Sequence, residues 1–166
     1  MKSPAIGNAR CESVIPSVPL QPLKEIEKSI HKKYRSYLWS PFIRALKEFE
    51  LVTEGDRIAV AVSGGKDSLL LSKLFQELKR ASKTRFEVVF ISMNPGFNSI
   101  NLENLRKNLD YLEIPCEIYN DNIFEIAEKM AKDYPCYMCA KMRRGSLYTK
   151  AVSLGCNKLA LGHHMD

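Results

Sequence analysis

Three short stretches hold residue types that do chemistry: SGGKDS at 63–68, the Cys136/Cys139 pair in YPCYMCAKMRRG, and LGHHMD at 161–166. SGGKDS lies between the apolar run RIAVAV (57–62) and a helical pattern through Leu69, Leu70, Leu74 and Leu78. A strand–glycine–helix transition of this kind binds phosphate. The free amides of the helix start point outward, the macrodipole favours an anion, and glycines let the backbone approach. Ser63 and Ser68 offer hydroxyls and Lys66 a charge, unless the lysine turns to solvent. The loop lacks the spacing of a Walker A motif and the third glycine of the dinucleotide fingerprint. The bland alternative is a glycine turn that merely precedes a helix.

Proline 135 can open a helix, so Cys136 and Cys139 share one face near its positive end, where thiolates are favoured. Three chemistries compete for such a pair. A zinc site needs two more ligands, a redox dithiol needs a different setting, and an iron–sulfur cluster needs at least one further ligand. Two buried structural cysteines are the plain alternative. The other cysteines (Cys11, Cys116 and Cys156) are scattered, and five is an odd number that a full disulfide framework cannot use.

The elements that must position these residues alternate. After strand 57–62 and its helix come strand FEVVFIS (86–92), the loop MNPGFNS, a helix over 100–112, strand CEIYN (116–120), and a helix over 121–132. A helix over about 137–154, stopped by Gly155, and strand KLALG (158–162) follow. Strand–helix alternation predicts an α/β fold, a parallel sheet with helices on both faces. Ahead of it, Leu23, Ile26, Ile30, Tyr34, Leu38, Phe42, Leu46 and Phe49 recur at mostly helical spacing. This predicts a helical segment over 23–51, interrupted at Ser40-Pro41, where Ser40 suits a cap and Pro41 a first turn; two helices or one kinked helix both satisfy the pattern. Residues 1–22, with four prolines, read as a flexible arm. The organisation expected is therefore arm 1–22, helical segment 23–51 and nucleotide-binding domain 52–166.

SGGKDS, NPGF, PCYMC with KMRRG and LY, and LGHHMD occur in that order, and together they resemble the PP-loop ATP pyrophosphatase family, in particular its tRNA 2-thiolation branch and most closely the cytidine-thiolating members. The similarity runs from about Ile26 to Asp166. It implies a Rossmann-like domain, of the adenine nucleotide alpha hydrolase-like kind, behind an N-terminal helical segment. It further implies an enzyme that adenylates the C2 oxygen of a tRNA pyrimidine with ATP and replaces it with sulfur. The resemblance assigns ATP to Ser63, Gly64, Gly65, Lys66, Asp67 and Ser68, with Asp67 contributing to a Mg²⁺ shell. It assigns adenine to the strand exit at Ser92, Met93 and Asn94, and a [4Fe–4S] cluster to Cys136 and Cys139. The third cluster ligand is expected outside this chain, because Cys156 lies only seventeen residues on, at the end of the same helix.

In the expected strand order 3-2-1-4-5, strands 1 and 4 adjoin at the topological switch point, where ligands bind at the carboxyl ends. Gly162 then approaches the nucleotide, and His163 and Asp166 are candidates for ribose, metal or proton handling; His164 is read as structural. Asp67, Cys136, Cys139 and Asp166 are the expected catalytic groups, and Arg143 either faces the nucleotide or joins Lys141 and Arg144 in meeting RNA. The implied partners are tRNA, a sulfur donor such as a cysteine desulfurase, and a second copy in a homodimer. The rival readings are another PP-loop activity (lysidine synthesis or an amide-forming ligase) and a non-catalytic ATP- or RNA-binding module.

Net charge is +6, with basic residues crowded at 24–47 and 141–150, which fits a polyanion or simply solvated helix faces. No apolar stretch is long enough to span a bilayer and the start does not read as a secretory signal, so a cytoplasmic protein with no membrane partner is expected. The related pattern continues past LGHHMD with a second acid, a helix and a fifth strand. The expectation is therefore a domain cut after strand 4.

Overall fold

The structure, a computed structural model, describes residues 19–94, 99–121 and 135–162, with side chains from residue 141 onward in the last segment. Four strands, β1 (Arg57–Ala61), β2 (Glu87–Asn94), β3 (Cys116–Asn120) and β4 (Lys158–Ala160), form one parallel sheet in the order β3-β2-β1-β4. In register, Val60 of β1 lies beside Phe90 of β2 and Ala160 of β4, and Phe90 beside Cys116 of β3. Helices α1 (Leu23–His31), α2 (Ser40–Glu48), α3 (Lys66–Ala81), α4 (Ser99–Tyr111) and α5 (Pro135–Ser153) complete the described elements. The expected helix over 121–132 lies outside the described residues, apart from Asp121, which is non-helical.

Alternation along β1 explains the layering. Ile58, Val60 and Val62 pack with Phe75 and Leu78 of α3, Phe90 of β2, and Leu105 and Leu109 of α4. Ala59 and Ile91 face the other way, against Ala151 of α5 and Cys156. A strand buried on both faces has to be apolar, as IAVAV (58–62) is after the partly exposed Arg57. β2 runs two residues beyond the expected end at Ser92, because Met93 and Asn94 still pair with Tyr119 and Asn120.

The predicted break at Ser40-Pro41 takes a different form. A π-helical turn, Arg35–Trp39, runs directly into α2. Ser40 is itself helical (φ −66°, ψ −43°) and the cap position falls to Trp39, with no side-chain cap bond. Ser40 is thus not a cap, since a helix that continues from a wider turn has no free N-terminus there. The extra residue in that turn relieves the clash of the Pro41 ring with the preceding turn.

The helical segment docks on α3 through both apolar and ionic contacts. Trp39 meets His31 edge-on at 4.4 Å, and Phe42 meets Phe75 at 5.5 Å. Beneath them Lys73, 2% exposed, donates to Glu27 at 2.7 Å and to the Leu112 carbonyl at 3.2 Å. Arg80 bonds Glu27 at 3.0 Å and Glu77 at 2.5 Å, and His31 bonds Glu77 at 2.8 Å. Burial alone would raise the Glu27 carboxyl, but the Lys73 and Arg80 hydrogen bonds and charges hold it below the usual range.

At the amino-terminal edge of the sheet, buried Asp56 accepts hydrogen bonds from Lys158 (2.6 Å), Asn157 (2.7 Å) and the Thr53 amide (2.7 Å). Asn157 in turn accepts from the Arg57 amide, so β1 and β4 are tied at their starts. No helix among the described residues is long and apolar enough to cross a membrane.

Candidate functional site

At the carboxyl edge the chain leaves β1 at Val62, whose amide still donates to Ile91, and turns sharply into α3. Gly64 carries φ +87°, a left-handed conformation that disfavours a side chain. The turn is held by serines. The Ser63 amide donates to Ser68 Oγ at 3.1 Å, the two hydroxyls lie 3.1 Å apart, and Ser68 Oγ donates to the Gly65 carbonyl at 2.9 Å. Ser68 is buried and spends its hydroxyl on the loop itself, whereas Ser63 stays exposed. Gly65 caps α3 without a side-chain bond, so the cap residue itself leaves the first amides of a sixteen-residue helix to other partners. Lys66 projects to solvent, and its Nζ lies 3.0 Å from both carboxylate oxygens of half-exposed Asp67. Loop amides, one cation and one carboxylate therefore share a single concave turn.

β4 exits beside this turn. A Cβ on Gly162 would come within 3.2 Å of the Ser68 amide nitrogen and 3.3 Å of the Asp67 carbonyl carbon. The glycine is thus dictated by backbone approach between the β4 exit and the first turn of α3. His163, His164 and Asp166 lie outside the described residues.

On the opposite face of the sheet, Met93 is buried against Tyr119, Met142 and Leu147, which places the middle of α5 over the carboxyl ends of β2 and β3. Ser146 of α5 donates to Asp121 and lies 3.3 Å from the Tyr119 hydroxyl. Lys150 pairs with Glu117 at 2.6 Å and sits 5.4 Å from the Tyr119 ring centroid. Burial first, and then Asp121, push the Tyr119 hydroxyl up, so it stays protonated. Arg143 is half-buried on the same helix, while Lys141 and Arg144 are exposed. Sequence reasoning missed the Tyr119–Ser146–Asp121 contact. Its one signal is that Ser146 follows Cys139 by seven residues, two turns along the same face.

Cys136 and Cys139 fall in the first turns of α5, and their side chains lie outside the described set. Met142 is six residues from Cys136, about 9 Å along the axis of α5. Cys116 opens β3 level with Phe90 in the middle of the sheet, and Cys156 precedes β4 at the amino-terminal edge. Burial, followed by the Glu117 charge, pushes the Cys116 thiol up to about 12, which keeps it protonated. Among the described residues no group of three or more His, Cys, Asp or Glu converges to hold a metal ion. Ser92, fully buried one residue before Met93, has a hydroxyl without a hydrogen-bond partner among the described residues.

No protein-family model matches the chain. Curated tRNA-cytidine(32) 2-sulfurtransferases do. Those of Citrifermentans bemidjiense and Pelobacter propionicus are 38% and 42% identical over 125 residues, covering 74% of this chain and 49% and 46% of theirs. That of Geotalea daltonii is 38% identical over 143 residues, covering 85% of this chain and 55% of its own. The chain spans about half the length of the curated relatives it matches. Among solved structures, the U34-tRNA thiolase NcsA from Methanococcus maripaludis with its [4Fe–4S] cluster shares the fold. The TM-score is 0.57 at 24% identity, over 77% of this chain and 48% of that one.

Proposed function

The chain belongs to the tRNA 2-thiolation branch of the PP-loop ATP pyrophosphatases, and on that premise we propose that it supplies the ATP-binding half of an enzyme that converts a tRNA cytidine to 2-thiocytidine. One observation carries the reading. The SGGKDS turn, the Gly162 exit and the start of the helix bearing Cys136 and Cys139 all stand at the carboxyl edge of one parallel sheet. The alternatives, a lysidine synthetase-like or amide-forming relative and a non-catalytic ATP- or RNA-binding module, give no reason for the cysteine pair at that edge. The division into arm 1–22, helical segment 23–51 and nucleotide-binding domain 52–166, and a cytoplasmic location, are part of the same proposal.

The residues present fit a nucleotide triphosphate. Gly64 and Gly65 keep the loop free of side chains, the Ser63–Ser68 bond fixes its curvature, and the first α3 amides meet the phosphates. Lys66 shifts from Asp67 to the phosphate oxygens, and Asp67 holds Mg²⁺ directly or through water. Met93 walls the adenine pocket on β2, Arg143 faces the nucleotide from α5, and His163 and Asp166 follow Gly162 as candidates for ribose, metal or proton handling.

Oxygen leaves C2 of a pyrimidine poorly. Transfer of AMP to it, with departure of pyrophosphate, creates a good leaving group that sulfur then displaces. Two thiolates three residues apart on a helix start also suit an iron–sulfur cluster, with a third ligand from elsewhere. A [4Fe–4S] cluster held there would supply a coordination site for the incoming sulfur. The chain's own contribution is to fix the distance between that helix start and the phosphate turn, through Met142 on Met93 and Ser146 on Asp121. The sulfur donor, for example a cysteine desulfurase, and a homodimeric state complete the proposal.

The test is Asp67→Ala in protein reconstituted anaerobically with iron and sulfide. ATP-dependent thiolation of tRNA and pyrophosphate release should both fall at least about a hundredfold with thermal stability unchanged. This is the size expected when a group that stabilises transition-state charge is lost. Normal turnover would overturn the assignment of the loop.

A further inference from the structure

The corner between α1 and α2 has a composition that the phosphate turn does not use. Residues 32–37 read KKYRSY, and all six are exposed. Tyr37 is 81% exposed and Tyr34 40%. They stand three residues apart, so their rings share one side of the turn. Lys33 Nζ lies 5.0 Å from the Tyr34 ring centroid, and Lys32 and Arg35 flank it. The twenty residues 28–47 contain six lysines and arginines and no aspartate or glutamate. The nearby carboxylates are already engaged, Glu25 with Lys28 and Glu27 and Glu77 with Lys73, Arg80 and His31.

The inner side of the corner is anchored, which makes the outer side a fixed platform. His31 is held by Glu77 at 2.8 Å and by Trp39, and the π turn sets Tyr37 and Arg35 outward. Exposed aromatic faces beside cations that form no ion pair with a carboxylate among the described residues match unstacked bases and their phosphates. A protein partner would favour an apolar patch with a polar rim, which this corner lacks.

We propose that the Lys32–Tyr37 corner is an RNA-docking surface that stacks an unpaired base on Tyr34 or Tyr37 and neutralises adjacent phosphates with Lys32, Lys33 and Arg35. The proposal rests on the reading that the chain acts on tRNA, and it deepens it by naming where the RNA is gripped. Glu77, which holds the corner through His31, is ten residues along α3 from Asp67, about 15 Å. One RNA can therefore touch both the corner and the phosphate turn.

The experiment is a fluorescence-anisotropy titration of the whole chain with unmodified tRNA transcript at several salt concentrations. It compares wild type, Tyr34→Ala/Tyr37→Ala, Lys32→Ala/Lys33→Ala/Arg35→Ala, and a control, Lys79→Ala/Lys83→Ala, in the exposed last turn of α3 and just beyond it. The tyrosine pair should lose about tenfold in affinity with an unchanged salt slope. The cation triple should lower the log–log salt slope by roughly two, about 0.7 for each of three contacts to single-stranded phosphates. ATP binding and thermal stability should not change in either. Corner variants that bind like wild type, or a control that weakens binding as much as the triple, would overturn the corner while leaving the thiolation reading intact. Wild-type chain that binds anionic lipid vesicles but no RNA would overturn both.

Discussion

Replacing Gly162 by alanine isolates the contact between the β4 exit and the phosphate turn. The added Cβ meets three backbone atoms, Ser68 N at 3.2 Å and the Asp67 carbonyl carbon and Ser68 Cα at 3.3 Å each. None of these can rotate away, so the first turn of α3 must move by a few tenths of an ångström. Overpacking of this kind costs about 1–3 kcal/mol. Because the strained atoms carry the phosphate-binding amides, we expect the strain to appear partly as weaker ATP binding, about tenfold for each 1.4 kcal/mol. Gly64→Ala is the comparison. There the neighbour is the tip of Leu105 at 3.1 Å, which can turn, but φ +87° adds about 1–2 kcal/mol of backbone strain. Isothermal titration with ATP and thermal denaturation would be run on both. Gly162→Ala should weaken ATP binding about five- to thirtyfold with a small loss of stability, and Gly64→Ala should lose more stability. If Gly162→Ala bound ATP like wild type, the coupling of β4 to the loop would be refuted.

Lys73→Met keeps the volume but removes the buried ammonium from Glu27 and from the Leu112 carbonyl. Since Arg80 remains on Glu27, we expect a loss of about 2–3 kcal/mol, at or below the lower end for breaking a buried pair. The protein has one tryptophan, Trp39, seated on His31, so its fluorescence in a urea titration reports undocking of the helical segment. An unchanged midpoint would discount the pair. Asp56 gives a pH dependence. Burial would raise its carboxyl, but Lys158, Thr53 and Asn157 hold it well below the usual carboxylate range. A depressed carboxylate stabilises the fold above its unfolded value near 4 and ceases to do so as the pH falls towards its folded value. Wild-type stability should therefore drop between pH 5 and pH 2 in urea melts, and Asp56→Asn should be less stable at pH 5 with a shallower drop. Parallel pH profiles would contradict this.

What the sequence made legible, and what it hid, divides along a physical line. β1, β3 and α3 could be read because burial on two faces, or on one stripe, writes a period into the chain, and SGGKDS because a phosphate turn needs glycine and helix start in fixed order. The π turn was not legible. Ser40-Pro41 looks like a helix start on local preference, yet the contact of Trp39 with Phe42, and of Phe42 with Phe75 of α3, holds the chain helical through it. Lys73 was hidden for a related reason. Within LLLSKLFQEL it reads as a solvated interruption of an apolar stripe, and only a partner 46 positions away makes it interior. Asp121 and Ser146, 25 positions apart, escape for the same reason. All three join segments distant in the chain, and a local pattern records periodicity but not partnership. The consequence for the site is specific. Its reactive groups sit in motifs that can be read one at a time, while the distance between the phosphate turn and the start of α5 depends also on Asp121 and Ser146, a pair that belongs to no motif. Substitutions at Asp121 or Ser146 should accordingly disturb function in a way that no single motif foretells.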